Sequence, residues 1–276
     1  MNKITKAIIP VAGWGTRRLP ITKTIEKCML PIGNRPLVDY VVQDCLKAGI
    51  TELIFVVGEG STQLEDYYRS NIQLNDYLRR NGKEDKLAMV APLDGITLHF
   101  VTQPSYGKYG TAVPVALAAD YIHDGESVVV LMGDDFIWNE DGSSEVARLI
   151  EATPEGACGL LAARVELKKG GTFGLIVQDE EGYYKEIIDQ PLVEDNPPSN
   201  LANVSKYILT KQVVDAAANL PPAHNGEYQL PDAVNGFVSM GGKVKVVPAQ
   251  GQYLDGGNVE GWLHANNVVL GGQRNA

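Results

Sequence analysis

Cysteine is scarce in this chain: Cys28, Cys45 and Cys158 are the only three in 276 residues. An odd, widely spaced set without a Cys-x-x-Cys pair argues against both a disulfide framework and a cysteine zinc site, and it fits a reducing, cytoplasmic setting. Positive charge is also short. Lysine and arginine number 24 against 34 aspartates and glutamates, for a formal net charge of −10. A chain this acidic is a poor general binder of nucleic acid or of an anionic membrane, so any phosphate it holds must meet basic residues gathered in one place. No apolar run approaches the roughly 18 residues needed to span a bilayer. The apolar stretch 7–12 is too short for a signal-peptide core and no cleavage pattern follows it. Repeats and low-complexity tracts are absent. The four histidines, His99, His123, His224 and His264, fall outside every motif described below, so no Ser/His/Asp arrangement is visible and all four read as structural or surface residues.

What is present is ordinary for a globular protein: 44% hydrophobic and 21% charged residues, on a chain long enough for a sizeable core. Short apolar runs at 6–11, 52–57, 97–102 and 127–132 read as buried strands. Between them, Leu37, Val38, Val41, Val42, Cys45 and Leu46 recur at helical spacing, with Gly49 as a cap. Residues 111–120 read as a second helix. Strand alternating with helix predicts an α/β fold, a Rossmann-like, mostly parallel sheet flanked by helices, with ligands beyond the carboxyl ends of the strands. Segment 67–93 is polar and reads as an inserted helical hairpin with a solvated face. Further strands are predicted at 157–165, 173–178, 183–189, 201–209 and 244–248, and helices at 215–220, 228–240 and 259–270. No linker divides the chain. A single domain over 1–276 is expected, with a nucleotide half at about 1–140 and a substrate half at about 141–276.

The strongest signal is Ala12-Gly13-Trp14-Gly15-Thr16-Arg17-Arg18-Leu19-Pro20, directly after the first predicted strand. Glycines there let the backbone turn and bring its N–H groups against phosphate oxygens, and Arg17 adds a fork of donors suited to phosphate. The dinucleotide fingerprint needs a small residue where Arg18 stands, and a P-loop needs a Gly-Lys-Ser/Thr ending; neither fits. Alone, a Gly-x-Gly after a strand is weak evidence, because a plain structural turn has the same pattern. Lys27, in Lys27-Cys28-Met29-Leu30-Pro31, follows ten residues after Arg17.

Together these motifs resemble the signature loop of the sugar-1-phosphate nucleotidyltransferases, and Thr22-Lys23 with Lys27-x-Met29-Leu30-Pro31 is most similar to members acting on UTP and glucose 1-phosphate. The resemblance runs in order along nearly the whole chain, and it implies a nucleotide-diphospho-sugar transferase fold. It implies that Ala12, Gly13, Gly15 and Thr16 line the nucleotide, that Arg17 holds its outer phosphates, and that Lys27 neutralises charge at the α-phosphate. Gln103 and Gly110 fall where members read the base; a glutamine amide offers a donor and an acceptor to a uracil edge, though a loop glutamine needs no such role. Asp134, after the apolar strand, and Asp255, in Leu254-Asp255-Gly256-Gly257-Asn258, are the implied ligands of Mg2+, a cation suited to one or two carboxylates plus phosphate oxygens. Asp-Gly is also a common turn. Gly174, after Phe173, and Glu227, in Glu227-Tyr228-Gln229-Leu230, match segments around the sugar; Glu227 is equally a first-turn acid for a following helix.

One departure stands out. Members usually carry Glu-Lys-Pro where this chain has Asp189-Gln190-Pro191. Asp189 can still reach sugar hydroxyls, but Gln190 cannot supply the lysine's charge to the sugar phosphate, a loss of roughly 1.5–3 kcal/mol. Lys206 or Lys185 could make up the charge. Cys28 stands where glutamate is usual and reads as a packing residue.

The resemblance implies transfer of UMP from UTP to glucose 1-phosphate, giving UDP-glucose and pyrophosphate. A sugar-phosphate oxygen attacks the α-phosphorus in line; it is already an anion, so positioning and charge neutralisation suffice. A homo-oligomer, dimer or tetramer, is implied as well. Three rivals stay open at this point: the same chemistry on another nucleotide or hexose 1-phosphate, a non-catalytic regulatory relative that binds nucleotide, and a nicotinamide-dependent oxidoreductase.

Overall fold

The computed structural model describes residues 3–167, 173–188, 191 and 196–275. In chain order its strands and helices are β1 (Lys6–Pro10), β2 (Pro31–Ile32), β3 (Arg35–Pro36), α1 (Leu37–Lys47), β4 (Glu52–Gly58), α2 (Gln63–Tyr68), α3 (Ile72–Arg80), β5 (Thr97–Gln103), α4 (Ala112–Leu117), β6 (Ser127–Leu131), β7 (Asp135–Trp138) and α5 (Glu145–Ala152). There follow β8 (Cys158–Arg164), β9 (Leu175–Gln178), β10 (Tyr184–Ile188), β11 (Leu201–Thr210), α6 (Lys211–Ala218), α7 (Leu230–Ser239), β12 (Val244–Pro248), β13 (Gln252–Asp255) and α8 (Val259–Asn275).

One sheet carries both halves of the chain. Its order is β10-β9-β11-β6-β1-β4-β5, with β8 also beside β11 and β12 beyond β8. β5, β4, β1 and β6 are mutually parallel. Among all its strands only β11 and β10 run against the rest. The fold is therefore the mixed, mostly parallel sheet that the alternation of strands and helices predicts.

Period-2 alternation explains the layering. Ile9, Val129 and Leu131 face a core closed by α1, α5 and α8, whereas Ile8, Val128 and Val130 face one closed by α4, α6 and α7. A strand buried on both faces has no polar side, so β1 and β6 read in the sequence as unbroken apolar runs. α1 buries Leu37, Val38, Val41, Val42 and Cys45, the stripe its spacing predicts. Gly49 follows it in the left-handed region at φ 82°.

Two expectations need correction. Segment 67–93 is not wholly a solvated hairpin. Tyr68 closes α2, is buried, stacks on Phe55 with ring centroids 5.8 Å apart and donates to Asp39 Oδ1 at 3.1 Å. Leu78 of α3 is buried too, and only one α-helix, α3, lies within the segment, followed by a 3-10 stretch at Glu84–Val90. Second, α6 begins at Lys211, four residues before its predicted start. The sequence also does not foreshadow α5, capped by the Ser144 hydroxyl accepting from Ala147 N at 3.0 Å, or the antiparallel ladder of β7 with β13. That ladder sets Asp255 directly opposite Asp135.

Candidate active site

The carboxyl ends of β1, β4, β5 and β6 open into a cavity of about 860 Å³. Open α/β sheets hold ligands at this end. Ala12, Gly13, Gly15, Lys27, Gln103, Gly110, Asp134 and Glu227 all line it. The first loop leaves β1 with Val11 N donating to Val56 O at 2.8 Å. Gly15 then turns in the left-handed region at φ 62°, where a Cβ would stand 2.9 Å from Thr22 Cγ2. Thr22 Oγ1 donates back to Gly15 O at 2.9 Å, tying the turn to the segment that carries Lys27. At Gly13 a Cβ would meet no protein atom within 4 Å, so the backbone there faces open space. Thr16 and Arg17 lie exposed on the 3-10 turn Thr16–Arg18 that follows.

Asp134 sits where β6 ends, because Gly133 lets the chain pass close to β1. Gly133 N donates to Pro10 O at 3.1 Å, and a Cβ on Gly133 would fall 2.4 Å from Val11 Cγ1. Lys27 forms an ion pair with Asp134. Asp255, at the end of β13, accepts from Gly257 N at 2.6 Å and from Asn258 Nδ2 at 2.9 Å. Gly256 N in turn donates to Asp134 O at 3.1 Å, which holds the two acidic segments side by side.

These groups converge on Gly257. A Cβ there would lie 2.6 Å from Asp255 Oδ1, 3.1 Å from Arg17 Nη2 and 3.2 Å from Lys27 Nζ. One acid and two cations thus meet at Gly257, and Lys27 carries the link on to the second acid, Asp134. Among the described residues no group of three or more His, Cys, Asp or Glu stands together as a cage for a metal. Two carboxylates, Asp134 on the cavity wall and Asp255 on the segment hydrogen-bonded to it, instead suit a cation such as Mg2+, which keeps water and takes its remaining oxygens from phosphates.

The loop after β5 and the segment before α7 are stitched together. Gly110, at φ 123°, lies against Tyr228, and its Cβ would fall 2.4 Å from Tyr228 O. Ala112 N donates to that oxygen at 2.9 Å, Tyr228 N donates to Tyr109 O at 2.9 Å, and Leu230 N donates to Thr111 Oγ1 at 2.9 Å. Glu227 accepts from Gln229 Nε2 at 2.7 Å and faces the cavity from this wall. Gln103 closes β5 on the other side. Gly174 O, just before β9, accepts from Asn203 N of β11 at 2.9 Å.

Asp189 and Gln190 lie outside the described residues. Lys206 does not line the cavity. It is buried and forms an ion pair with Asp135, so a contact with a sugar phosphate would have to break that pair. Lys185 is exposed on β10. Burial pushes the Asp135 carboxyl up to about 6 despite Lys206, and the neighbouring Asp134 and Asp255 push the same way. Cys28, Cys45 and Cys158 are buried and free, and burial raises each thiol, consistent with packing roles. His99 hydrogen-bonds Glu52 at 3.0 Å and His264 hydrogen-bonds Gln252 at 3.0 Å, both away from the cavity.

Arg18 is a site-supporting residue that the sequence does not reveal. Of the adjacent arginines, Arg17 stays exposed while Arg18 turns inward, donates from Nη1 to Asn258 O at 2.7 Å and lies 5.1 Å from the Trp262 ring centre. It thereby pins the Asp255–Asn258 turn to the first loop. The only sequence hint is the doubling of arginine itself.

Residues 6–271 match the family described as nucleotidyl transferase. The UTP–glucose-1-phosphate uridylyltransferase of Pseudomonas aeruginosa is 31% identical over 96% of this chain and 95% of its own length. The enzyme of the same name from Streptococcus pyogenes is 34% identical over 85% of this chain and 79% of its own. A crystal structure of UDP-glucose pyrophosphorylase complexed with UDP-glucose superposes with a TM-score of 0.80 at 29% identity, covering 97% of this chain and 99% of that one. No described helix is long and apolar enough to cross a membrane.

Proposed function

The chain belongs to the nucleotidyl transferase family, and from that premise we propose that it transfers UMP from UTP to glucose 1-phosphate, releasing pyrophosphate and UDP-glucose. The observation that carries this reading is the gathering of Arg17, Lys27 and Asp255 around Gly257, with Lys27 paired in turn to Asp134 on the wall of the cavity at the carboxyl ends of β1, β4, β5 and β6. The names of the relatives support the choice of UTP and glucose 1-phosphate.

The backbone of 12–15, with no side chain at Gly13, receives the triphosphate. Arg17 sits on the outer side of the cluster and holds the leaving pyrophosphate. Lys27 stands between Asp134 and the loop and offsets charge on the crowded α-phosphate. Gln103 and the backbone at Gly110 read the uracil edge; Glu227 and Gly174, with Asp189, serve the sugar. Asp134 and Asp255 would hold Mg2+, whose charge screens the phosphates from one another. The sugar phosphate is already anionic, so the chain need supply no general base. Its work is to hold the attacking oxygen in line with the departing pyrophosphate. Gln190 leaves the sugar phosphate without the family's usual lysine, so a raised KM for glucose 1-phosphate is expected, not an altered reaction.

The test is pyrophosphate release with Mg2+, setting UTP, dTTP, CTP, ATP and GTP against glucose 1-phosphate and then other hexose 1-phosphates against the preferred nucleotide. Turnover chiefly with UTP and glucose 1-phosphate is expected. Lys27→Ala and Asp134→Ala are each expected to lower kcat by about 10²–10³-fold, as for other removals of a charge-stabilising group. UTP binding with no turnover on any sugar phosphate would instead identify a regulatory relative.

A further inference from the structure

Three acids, Asp134, Asp135 and Asp255, lie near one another beside the cavity, and Asp135 is the most buried of them. Asp135 follows Asp134 directly and stands opposite Asp255 in the β7–β13 ladder. Like charges directly opposed across an antiparallel pair repel. The third acid is removed from play by β11. The register of β11 against β8 breaks between Asn203 and Lys206, and Ser205 takes a φ of 51°, unusual for a residue with a side chain. Bulges re-aim side chains, and here the residue after the irregularity is Lys206, 3% exposed. Its ammonium pairs with Asp135 Oδ1 and also donates to Asp135 O at 3.3 Å, while Tyr253 Oη donates to Oδ2 at 3.1 Å. The charge of Asp135 is therefore met by a buried ammonium and its second oxygen by a hydroxyl, whereas Asp255 accepts only from neutral donors, Gly257 N and Asn258 Nδ2, and Asp134 pairs with Lys27 on the cavity wall.

We propose that Lys206 is a built-in counter-cation: delivered by the β11 bulge, it neutralises Asp135 and so sets the charge of the acidic cluster, reserving Asp134 and Asp255 for one divalent cation that phosphates must complete. The inference rests on the reading of Asp134 and Asp255 as cation ligands. It makes Lys206 a residue that tunes the cation site from behind, not a substrate contact. It also gives the strained backbone at Ser205 a purpose, since without the bulge the lysine would lose its aim at Asp135.

Opposite signs distinguish this from a merely structural pair. The measurement is a terbium(III) luminescence titration of the full chain without nucleotide at about pH 8.5, because this ion takes the same oxygen donors as other hard cations. Lys206→Met frees a negative charge beside the site and is expected to tighten terbium binding by about tenfold or more; Asp135→Asn leaves the ammonium uncompensated and is expected to weaken it by a similar factor. The double variant is expected to return to the parent affinity, and Lys206→Arg, which keeps the charge, to stay within about threefold of it. Shifts of the same sign in the two single variants, or no shift in either, overturn the inference. If Lys206→Met does not fold, Asp135→Asn and the double variant still decide: weakening that the double variant fails to reverse overturns it. Asp134→Asn and Asp255→Asn separate this from the underlying reading. If neither weakens terbium binding in the parent, the ligand assignment itself fails. If both do while the Lys206 and Asp135 variants show no opposite shifts, only the counter-cation inference fails.

Discussion

At the scale of the residue, Gly257 shows how the absence of one carbon can be functional. Its amide donates to Asp255 Oδ1, and the place a Cβ would take lies within 3.2 Å of groups from Asp255, Arg17 and Lys27. A side chain there must push aside three polar ends that the proposed chemistry needs in place. Those ends belong to flexible side chains, so the fold can yield where the site cannot. Gly257→Ala is therefore expected to lower kcat/KM by about 10²-fold, the scale of a small misplacement of reacting groups. The thermal midpoint should stay within a few degrees of the parent. Steady-state kinetics and a melting curve on the same preparation check both halves; a large fall in midpoint would mean that the glycine serves packing instead.

At the scale of the element, the loop after β5 and the segment before α7 form one wall of the cavity because Gly110 lets them touch. Gly110 combines φ 123° with backbone atoms of Tyr228 at 2.4–2.9 Å from where a Cβ would be. Neither the conformation nor the contact admits a side chain, and no flexible group can move aside. Gly110→Ala should cost about 1–3 kcal/mol from the backbone conformation alone. It should also raise KM for UTP by parting the loop after Gln103 from the segment that carries Glu227. Urea unfolding and initial rates against UTP concentration test the two effects. The same wall shows what the sequence makes legible. β1, β4 and β6 announce themselves because strands covered on both faces must be apolar in their middles, and a glycine-rich loop with arginine and lysine after the first of them points to phosphate. β7 and β13 are four residues each, and each includes an aspartate of the acidic cluster, so no apolar pattern marks them. Lys206 looks like a candidate phosphate contact in the sequence because its partner Asp135 is 71 residues away and a bulge decides where it points. Tyr68 hides in a polar stretch for a similar reason: the groups that bury it, Phe55 and Asp39, are fixed by tertiary packing alone.

At the scale of the whole molecule, β11 joins the two halves. It pairs with β6, the last of the parallel strands at the cavity, and with β8 and β9, which belong to the half proposed to bind the sugar. Both faces of this sheet are covered, by two cores that alternate residue by residue across it. A defect on the sugar side should therefore be felt on the nucleotide side, with no independent unfolding of either. Leu160, in β8, is fully buried in the core closed by α4, α6 and α7. Truncating it leaves a cavity that close-packed neighbours cannot fill, so Leu160→Ala should cost about 2–5 kcal/mol. The three tryptophans, Trp14, Trp138 and Trp262, all lie outside β8 and its immediate partners. If the sheet unfolds as one unit, tryptophan fluorescence and far-ultraviolet circular dichroism will report a single coincident transition in the parent, and Leu160→Ala will move both by the same amount. Saturating UTP will then raise that common transition in parent and variant alike, because ligand bound to the native state stabilises everything that unfolds with it. A fluorescence transition that stays put while the dichroism shifts would instead divide the molecule at β11, and would make the junction between nucleotide and sugar sites a hinge instead of a shared wall.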